Sequence, residues 1–198
     1  MSVPVRSMTL ALVARSRTHP HLWDAGWVAA FSILMSMLAQ ISIPLPFTPV
    51  PISGQTFGVL LAGALLGSRR GAAAMLVYLA EGAAGLPVFA LGHSGPGVIL
   101  GPTGGYLLSY PVAAFVVGLL AERGWDRSFW RAAVAMLCGE ATIYVIALPW
   151  LGHFVPASSV VALGFLPFIP GDITKLALAA ALLPSGWALA GMLRSRWI

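Results

Sequence analysis

Six apolar runs follow one another along the chain: Gly26–Ile43, Gln55–Gly67, Gly71–Leu86, Gly104–Ala121, Ala132–Leu151 and Ile173–Leu193. About 20 apolar residues at 1.5 Å rise are needed to cross the hydrocarbon core of a bilayer. The pattern therefore predicts an all-α integral membrane protein with six transmembrane helices. The second run is short for a full crossing, which suggests a thin, broken or re-entrant span. Short or Gly/Pro-interrupted segments of membrane proteins often line a binding cavity.

The polar positions between the runs alternate in kind. Arg6, Arg15 and Arg17 precede the first run, Arg69 and Arg70 follow the second, Arg123, Arg127 and Arg131 follow the fourth, and Arg194 and Arg196 follow the sixth. The three other connections, 44–54, 87–103 and 152–170, contain no Arg or Lys. By the positive-inside rule both termini are expected in the cytoplasm. Trp23, Trp27, Trp125, Trp130 and Trp197 stand at the arginine-bearing ends, as an interfacial belt would. The first run ends in Pro44, Pro46, Pro49 and Pro51 rather than at a small-residue cleavage site, so it reads as a retained span and not as a signal peptide. The expected organisation is a cytoplasmic N-terminal tail over 1–25 and a six-helix membrane domain over 26–198, placed in the bacterial cytoplasmic membrane as a multi-pass protein.

Composition agrees. Of 198 residues 59% are hydrophobic and 9% charged, and the mean hydropathy is +0.89. Soluble domains carry about 25% charged residues, so a soluble enzyme, a disordered chain and a nucleic-acid binder are excluded. The net charge of +5 belongs to the membrane pattern and implies no nucleic-acid partner. Cys138 is the single cysteine and lies in an apolar run, so there is no disulfide framework.

Four ionisable residues remain in or at the edges of spans: Glu81, Glu140, Asp172 and Lys175. A charge at mid-bilayer costs about 2.5–3.5 kcal/mol on insertion scales, so these groups must face a cavity, pair or be neutral. Gln55 opens the second span, Thr103–Tyr106 opens the fourth, and Asp172 and Lys175 lie in the first turn of the sixth. The polar groups thus converge on the outer half of the bundle, and the inner halves are nearly free of them. Lys175 is the only lysine. Three residues apart, Asp172 and Lys175 share a helical face, where they can neutralise each other, hold a ligand, or do both. The charge-free, glycine- and proline-rich connections 44–54 and 87–103 read as lids over a cavity, the first as a polyproline-like stretch. Small residues at four-residue spacing, Gly63/Gly67, Gly67/Gly71, Gly58/Ala62, Ala25/Ala29 and Gly26/Ala30, permit close helix approach. The set on the first span could also dock a partner.

Other chemistry is thin. Gly101-Pro102-Thr103-Gly104-Gly105 lacks the Gly-Lys-Ser/Thr ending of a phosphate loop, and no His-Glu-x-x-His or Cys/His cluster offers a metal site. No cofactor is implied. Gly92-His93-Ser94-Gly95 spells the Gly-x-Ser-Gly of intramembrane serine proteases, with His153 as the imaginable base, but the match is short and both lie in loops. A channel would need polar residues along a whole path, where this pattern gives a cup closed at its inner end.

Five segments together are distinctive. Pro49-Val50-Pro51-Ile52-Ser53-Gly54-Gln55-Thr56 runs into Val59–Gly67, followed by Gly85-Leu86-Pro87-Val88-Phe89, Gly101-Pro102-Thr103-Gly104-Gly105-Tyr106-Leu107, and Pro167–Lys175 with its Gly-Asp-x-x-Lys. This order strongly resembles the BioY family, the biotin-specific substrate-binding (S) components of energy-coupling factor (ECF) vitamin transporters, over about residues 26–192. The resemblance implies a non-enzymatic biotin-capture subunit with an outward-facing pocket closed by outer loops. It also implies a transmembrane coupling protein and two ATPase subunits as partners, or self-association where the subunit works alone. Within that resemblance Asp172 and Lys175 match the ligand contacts of the last span. Glu81 departs, since an amide there would suit a neutral ligand ring. Biotin has a ureido ring, an apolar body and a carboxylate. Acceptors, donors and aromatic walls to match come from Asp172, Lys175, Gln55, Glu81, Phe89, Thr103, Gly104, Tyr106, Glu140 and Tyr144.

Overall fold

The computed structural model describes the backbone of residues 20–195 and the side chains of 21–185. The expectations that rest on Arg6, Arg15, Arg17, Arg194, Arg196 and Trp197 lie outside the described side chains.

Among the described residues, six helices have twelve residues or more: α1 (Pro20–Gln40), α2 (Gln55–Leu66), α3 (Ser68–Ala83), α5 (Gly104–Glu122), α6 (Phe129–Leu151) and α8 (Ile169–Ser195). Two short ones, α4 (Pro96–Ile99) and α7 (Val160–Gly164), sit in the connections. Among the described residues, four segments are long and apolar enough to cross a membrane: His21–Gln40, Gly104–Glu122, Phe129–Leu151 and Ala157–Ser185. α2 is apolar but short, about 18 Å at helical rise. The first described helix already includes residues ahead of the expected Gly26.

α2 and α3 fold back on each other at Gly67, whose φ of 85° and ψ of 176° allow the sharp turn. That turn lies directly on α5. A Cβ on Gly118 would enter the backbone of Ser68, and one on Gly63 would meet the Ala114 carbonyl. The Glu122 carboxylate of α5 accepts from both the Ser68 amide (2.8 Å) and its Oγ (2.9 Å), so a distant side chain caps α3. Arg70 pairs with Asp24 at 3.0 Å, which brings the start of α1 to the same end. The arginine-bearing connections therefore gather at one end of the bundle. A core of Leu60, Ala64, Val117, Ala132, Ala135, Met136, Ala180 and Leu183 fills that half with apolar side chains.

The connections without Arg or Lys gather at the opposite end. Gln40 donates to the Phe89 carbonyl (3.2 Å), Thr48 to that of Leu163 (2.8 Å) and Trp150 to that of Gly101 (2.9 Å). The stretch expected to be polyproline-like is instead closed at its base by a two-stranded antiparallel ribbon, β1 (Ser42–Ile43) on β2 (Ile52–Ser53). Gly54 N–H donating to the Ile41 carbonyl at 2.9 Å extends that pairing and satisfies backbone groups an extended proline run would leave open. The prolines are confined to the tip.

Candidate functional site

Beneath these connections the helix ends enclose a cavity of about 330 Å³. Its walls come from every part of this end of the bundle: Val50 and Pro51 of the ribbon loop, Gln55 and Thr56 of α2, Phe89 and His93 of the loop after α3, Thr103, Tyr106 and Tyr110 at α5, Ile143 and Tyr144 of α6, and Phe168, Asp172 and Lys175 at α8. Five of the walls are aromatic rings, those of Phe89, Tyr106, Tyr110, Tyr144 and Phe168. Tyr106 lies edge to face with Tyr144 at 6.4 Å between centroids and tilted against Phe168 at 6.4 Å, and Phe89 meets Tyr78 edge to face at 5.6 Å.

α8 begins immediately after the turn Leu166–Phe168, so Asp172 falls in its first turn and Lys175 one turn further in. Asp172 is 8% exposed. Its Oδ1 accepts from Lys175 Nζ at 3.2 Å, and its Oδ2 accepts a short hydrogen bond from the Tyr144 phenol. Lys175 Nζ also donates to Thr56 Oγ1 at 2.9 Å, tying α8 to α2. A second polar chain runs along the other wall. Ser53 Oγ donates to Gln55 Oε1 (2.8 Å), Gln55 Nε2 to the Tyr78 hydroxyl (2.7 Å), and that hydroxyl to the Val88 carbonyl (3.0 Å). Tyr106 donates to the Gly164 carbonyl at 2.6 Å, which ties the end of α7 to α5.

Seven of the ten residues expected from the sequence line this cavity: Gln55, Phe89, Thr103, Tyr106, Tyr144, Asp172 and Lys175. Three do not. Glu81 turns toward α1, where its Oε2 accepts from Ser32 Oγ at 2.5 Å; it clips α3 to α1. Gly104 supports from outside, since a Cβ there would meet the Ile99 carbonyl and, at 3.1 Å, Trp150 Nε1. Its absence lets α5 approach the end of α6. Glu140 is 4% exposed, and neither carboxyl oxygen has a hydrogen-bond partner among the described residues. It lines a separate apolar groove between α6 and α8 that shares Tyr144 and Asp172 with the cavity.

A sequence profile of the BioY family matches residues 9–192. The chain belongs to the BioY family. It is 43% identical over 156 residues to the probable biotin transporter BioY of Pyrococcus horikoshii, covering 79% of this chain and 91% of that one. It is 40% identical over 151 residues to the biotin transporter BioY of Thermotoga maritima, covering 76% and 87%. Among solved structures it matches the crystal structure of the S-component for biotin from an ECF-type ABC transporter. That match has a TM-score of 0.77 and 28% identity, covering 86% of this chain and 93% of that one.

Within this BioY fold, Thr56, His93, Tyr110 and Phe168 also line the cavity and Tyr78 supports its wall, although none of them is among the binding residues expected from the sequence. Tyr110 lies one turn from Tyr106, so a helical projection from Tyr106 reaches it; Thr56, next to Gln55 in the quoted segment, has no such signal. The serine-protease motif finds no assembled pair. Ser94 is exposed in the loop, and the His153 ring lies 3.2 Å from the carbonyl of Trp150, in its own turn.

Proposed function

We propose that the chain captures biotin from outside and takes it up across the cytoplasmic membrane as the substrate-specific subunit of an ECF-type transporter. The observation that carries this is the convergence of Asp172, Lys175, Thr56 and Gln55 with an aromatic cage in one enclosed cavity of a BioY chain. The pocket is small, mostly apolar and set with few polar groups, as ligand sites are. No catalytic step is part of this reading.

In the proposed arrangement α1, α2, α3, α5, α6 and α8 cross the membrane, both termini and the 1–25 tail are cytoplasmic, and 26–198 is the substrate-binding domain. The segregation of arginines to one end supports it. Asp172 and Lys175 meet the ligand's polar ring, with Gln55, Phe89, Thr103, Tyr106 and Tyr144 around its body. Glu81, Glu140 and Gly104 act through the packing that shapes the pocket. The partners are biotin, membrane lipid, and either a transmembrane coupling protein with two ATPase subunits or a second copy of the chain. Ala25, Gly26, Ala29 and Ala30 form an exposed strip on α1 suited to such an approach.

The test is binding of labelled biotin to the purified chain without nucleotide, followed by vesicle uptake with and without the coupling module. Saturable binding without nucleotide is expected; its absence overturns the reading.

A further inference from the structure

At the arginine-bearing end the chain leaves α5 at Arg123, turns through Gly124 with φ of 81°, and enters α6 after the turn Trp125–Arg127. This path wraps three arginines around one depression of about 590 Å³, lined by Arg123, Gly124, Arg127, Ser128 and Arg131. Arg123 and Arg131 are exposed. One oxygen of the Glu122 carboxylate accepts from Ser68, and Asp126 is buried and does not line the depression. Ser128 makes no side-chain cap, so the N-terminus of the 23-residue α6 adds its own positive end to the same place.

Two further rings decide between a dissolved anion and a lipid. Phe129 and Trp130 follow Ser128 directly, are 42% and 79% exposed, and lie edge to face at 5.3 Å. An exposed tryptophan beside cations at the end of a membrane helix is the signature of the headgroup layer. Basic pockets between membrane helices bind anionic headgroups.

We infer that the α5–α6 turn is a binding site for the phosphate of an anionic phospholipid, held by Arg123 and Arg131 with the acyl chains lying beside Phe129 and Trp130. The site rests on the chain being membrane-embedded and not on what it transports. It fixes one corner of the bundle to the bilayer surface, at the end opposite the cavity.

The test uses the full chain in mild detergent. Native mass spectrometry follows retention of dioleoyl phosphatidylglycerol against dioleoyl phosphatidylcholine, for the native chain and for Arg123→Gln/Arg131→Gln. Each arginine at the surface is worth about fivefold in anionic-lipid preference, so the double variant is expected to lose preference on the order of twentyfold while still binding biotin. Arg123→Lys/Arg131→Lys, which keeps the charge, is expected to retain most of it. Equal retention of the two lipids by the native chain overturns the site, as does an unchanged preference in the glutamine variant. Displacement of the bound lipid by millimolar inorganic phosphate would also overturn it, in favour of a soluble anion. Biotin binding, read in the same samples, separates failure of this site from failure of the transport reading.

Discussion

The Tyr144 phenol of α6 donates to the Asp172 carboxylate of α8, whose other oxygen accepts from Lys175. These groups line the cavity, and each is satisfied by its neighbours. Removing one leaves another uncompensated in an apolar bundle. A hydrogen bond to a charged group is worth about 1.5–3 kcal/mol. Lys175→Ala and Asp172→Asn are therefore expected to weaken biotin binding by roughly tenfold to a hundredfold. Thr56→Val, which removes only the clamp between α8 and α2, should fall below that range. Equilibrium binding of labelled biotin checks all three, and near-native affinity in both charge variants would remove this pair from the site.

Glu122 carries a different expectation. It caps α3 from α5 at the end remote from the cavity. Glu122→Ala leaves the Ser68 amide and hydroxyl without their acceptor, a loss of about 1–2 kcal/mol if it behaves as a lost cap. A chain of this size should lose about 2–4 °C in Tm for each kcal/mol. Thermal unfolding should show the drop while biotin affinity stays native. A change in affinity instead would mean that the two ends of the bundle are coupled.

Much of this architecture is legible in the sequence because the bilayer allows few solutions: apolar length gives helices, and arginine placement gives their two ends. The site is legible in part. Asp172 and Lys175 stand out as charges in an apolar segment, and Tyr106 and Tyr144 as polar aromatics. What a one-dimensional pattern lacks is the neighbour. Glu81 and Tyr78 are three residues apart on α3, yet Glu81 meets Ser32 of α1 while Tyr78 meets Gln55 of α2. Thr56 joins the site only because α8 lays Lys175 beside it, at a separation of 119 residues.

Topology can be read with single cysteines in a Cys138→Ala background. Ser94 and Ser158 are exposed in the connections without Arg or Lys, and Ser128 is exposed in the arginine-bearing one. Ser94→Cys and Ser158→Cys should react with an impermeant reagent added outside cells, and Ser128→Cys only after permeabilisation. Ser68 is unsuitable, since it is 4% exposed beneath Glu122. Labelling of Ser128→Cys from outside would break the proposed arrangement.

The strip on α1 tests coupling. Ala25, Ala29 and Ala30 are exposed, and a Cβ on Gly26 would meet nothing within 4 Å, so no described residue packs on this face. Ala29→Trp should leave biotin binding native and reduce uptake into vesicles. Equal uptake by native and variant chains would show that no partner approaches there.

The orientation of the ligand follows from depth. Asp172 lies in the first turn of α8 and Lys175 one turn further from the outer loops, whereas Val50, Phe89 and His93 close the cavity from the loop side. A ligand entering past those loops brings its leading end to the Asp172–Lys175 pair and leaves its trailing end near water. Biotin's carboxylate is strongly hydrated, and burying it costs more than burying the neutral ureido ring. The ring also matches the pair: its two N–H groups can donate to the carboxylate of Asp172, and its carbonyl can accept from Lys175. Biotin amide, which lacks the charged end, should therefore bind the native chain within about threefold of biotin, less than half the 1.4 kcal/mol of a tenfold change. Lys175→Ala should weaken both ligands alike, and an analogue with the ureido carbonyl altered should lose far more than the amide. The reverse orientation has an opposite signature: the amide would bind the native chain much more weakly than biotin, and Lys175→Ala would erase the difference. Competition binding of the three ligands to native and Lys175→Ala chains distinguishes the two orientations.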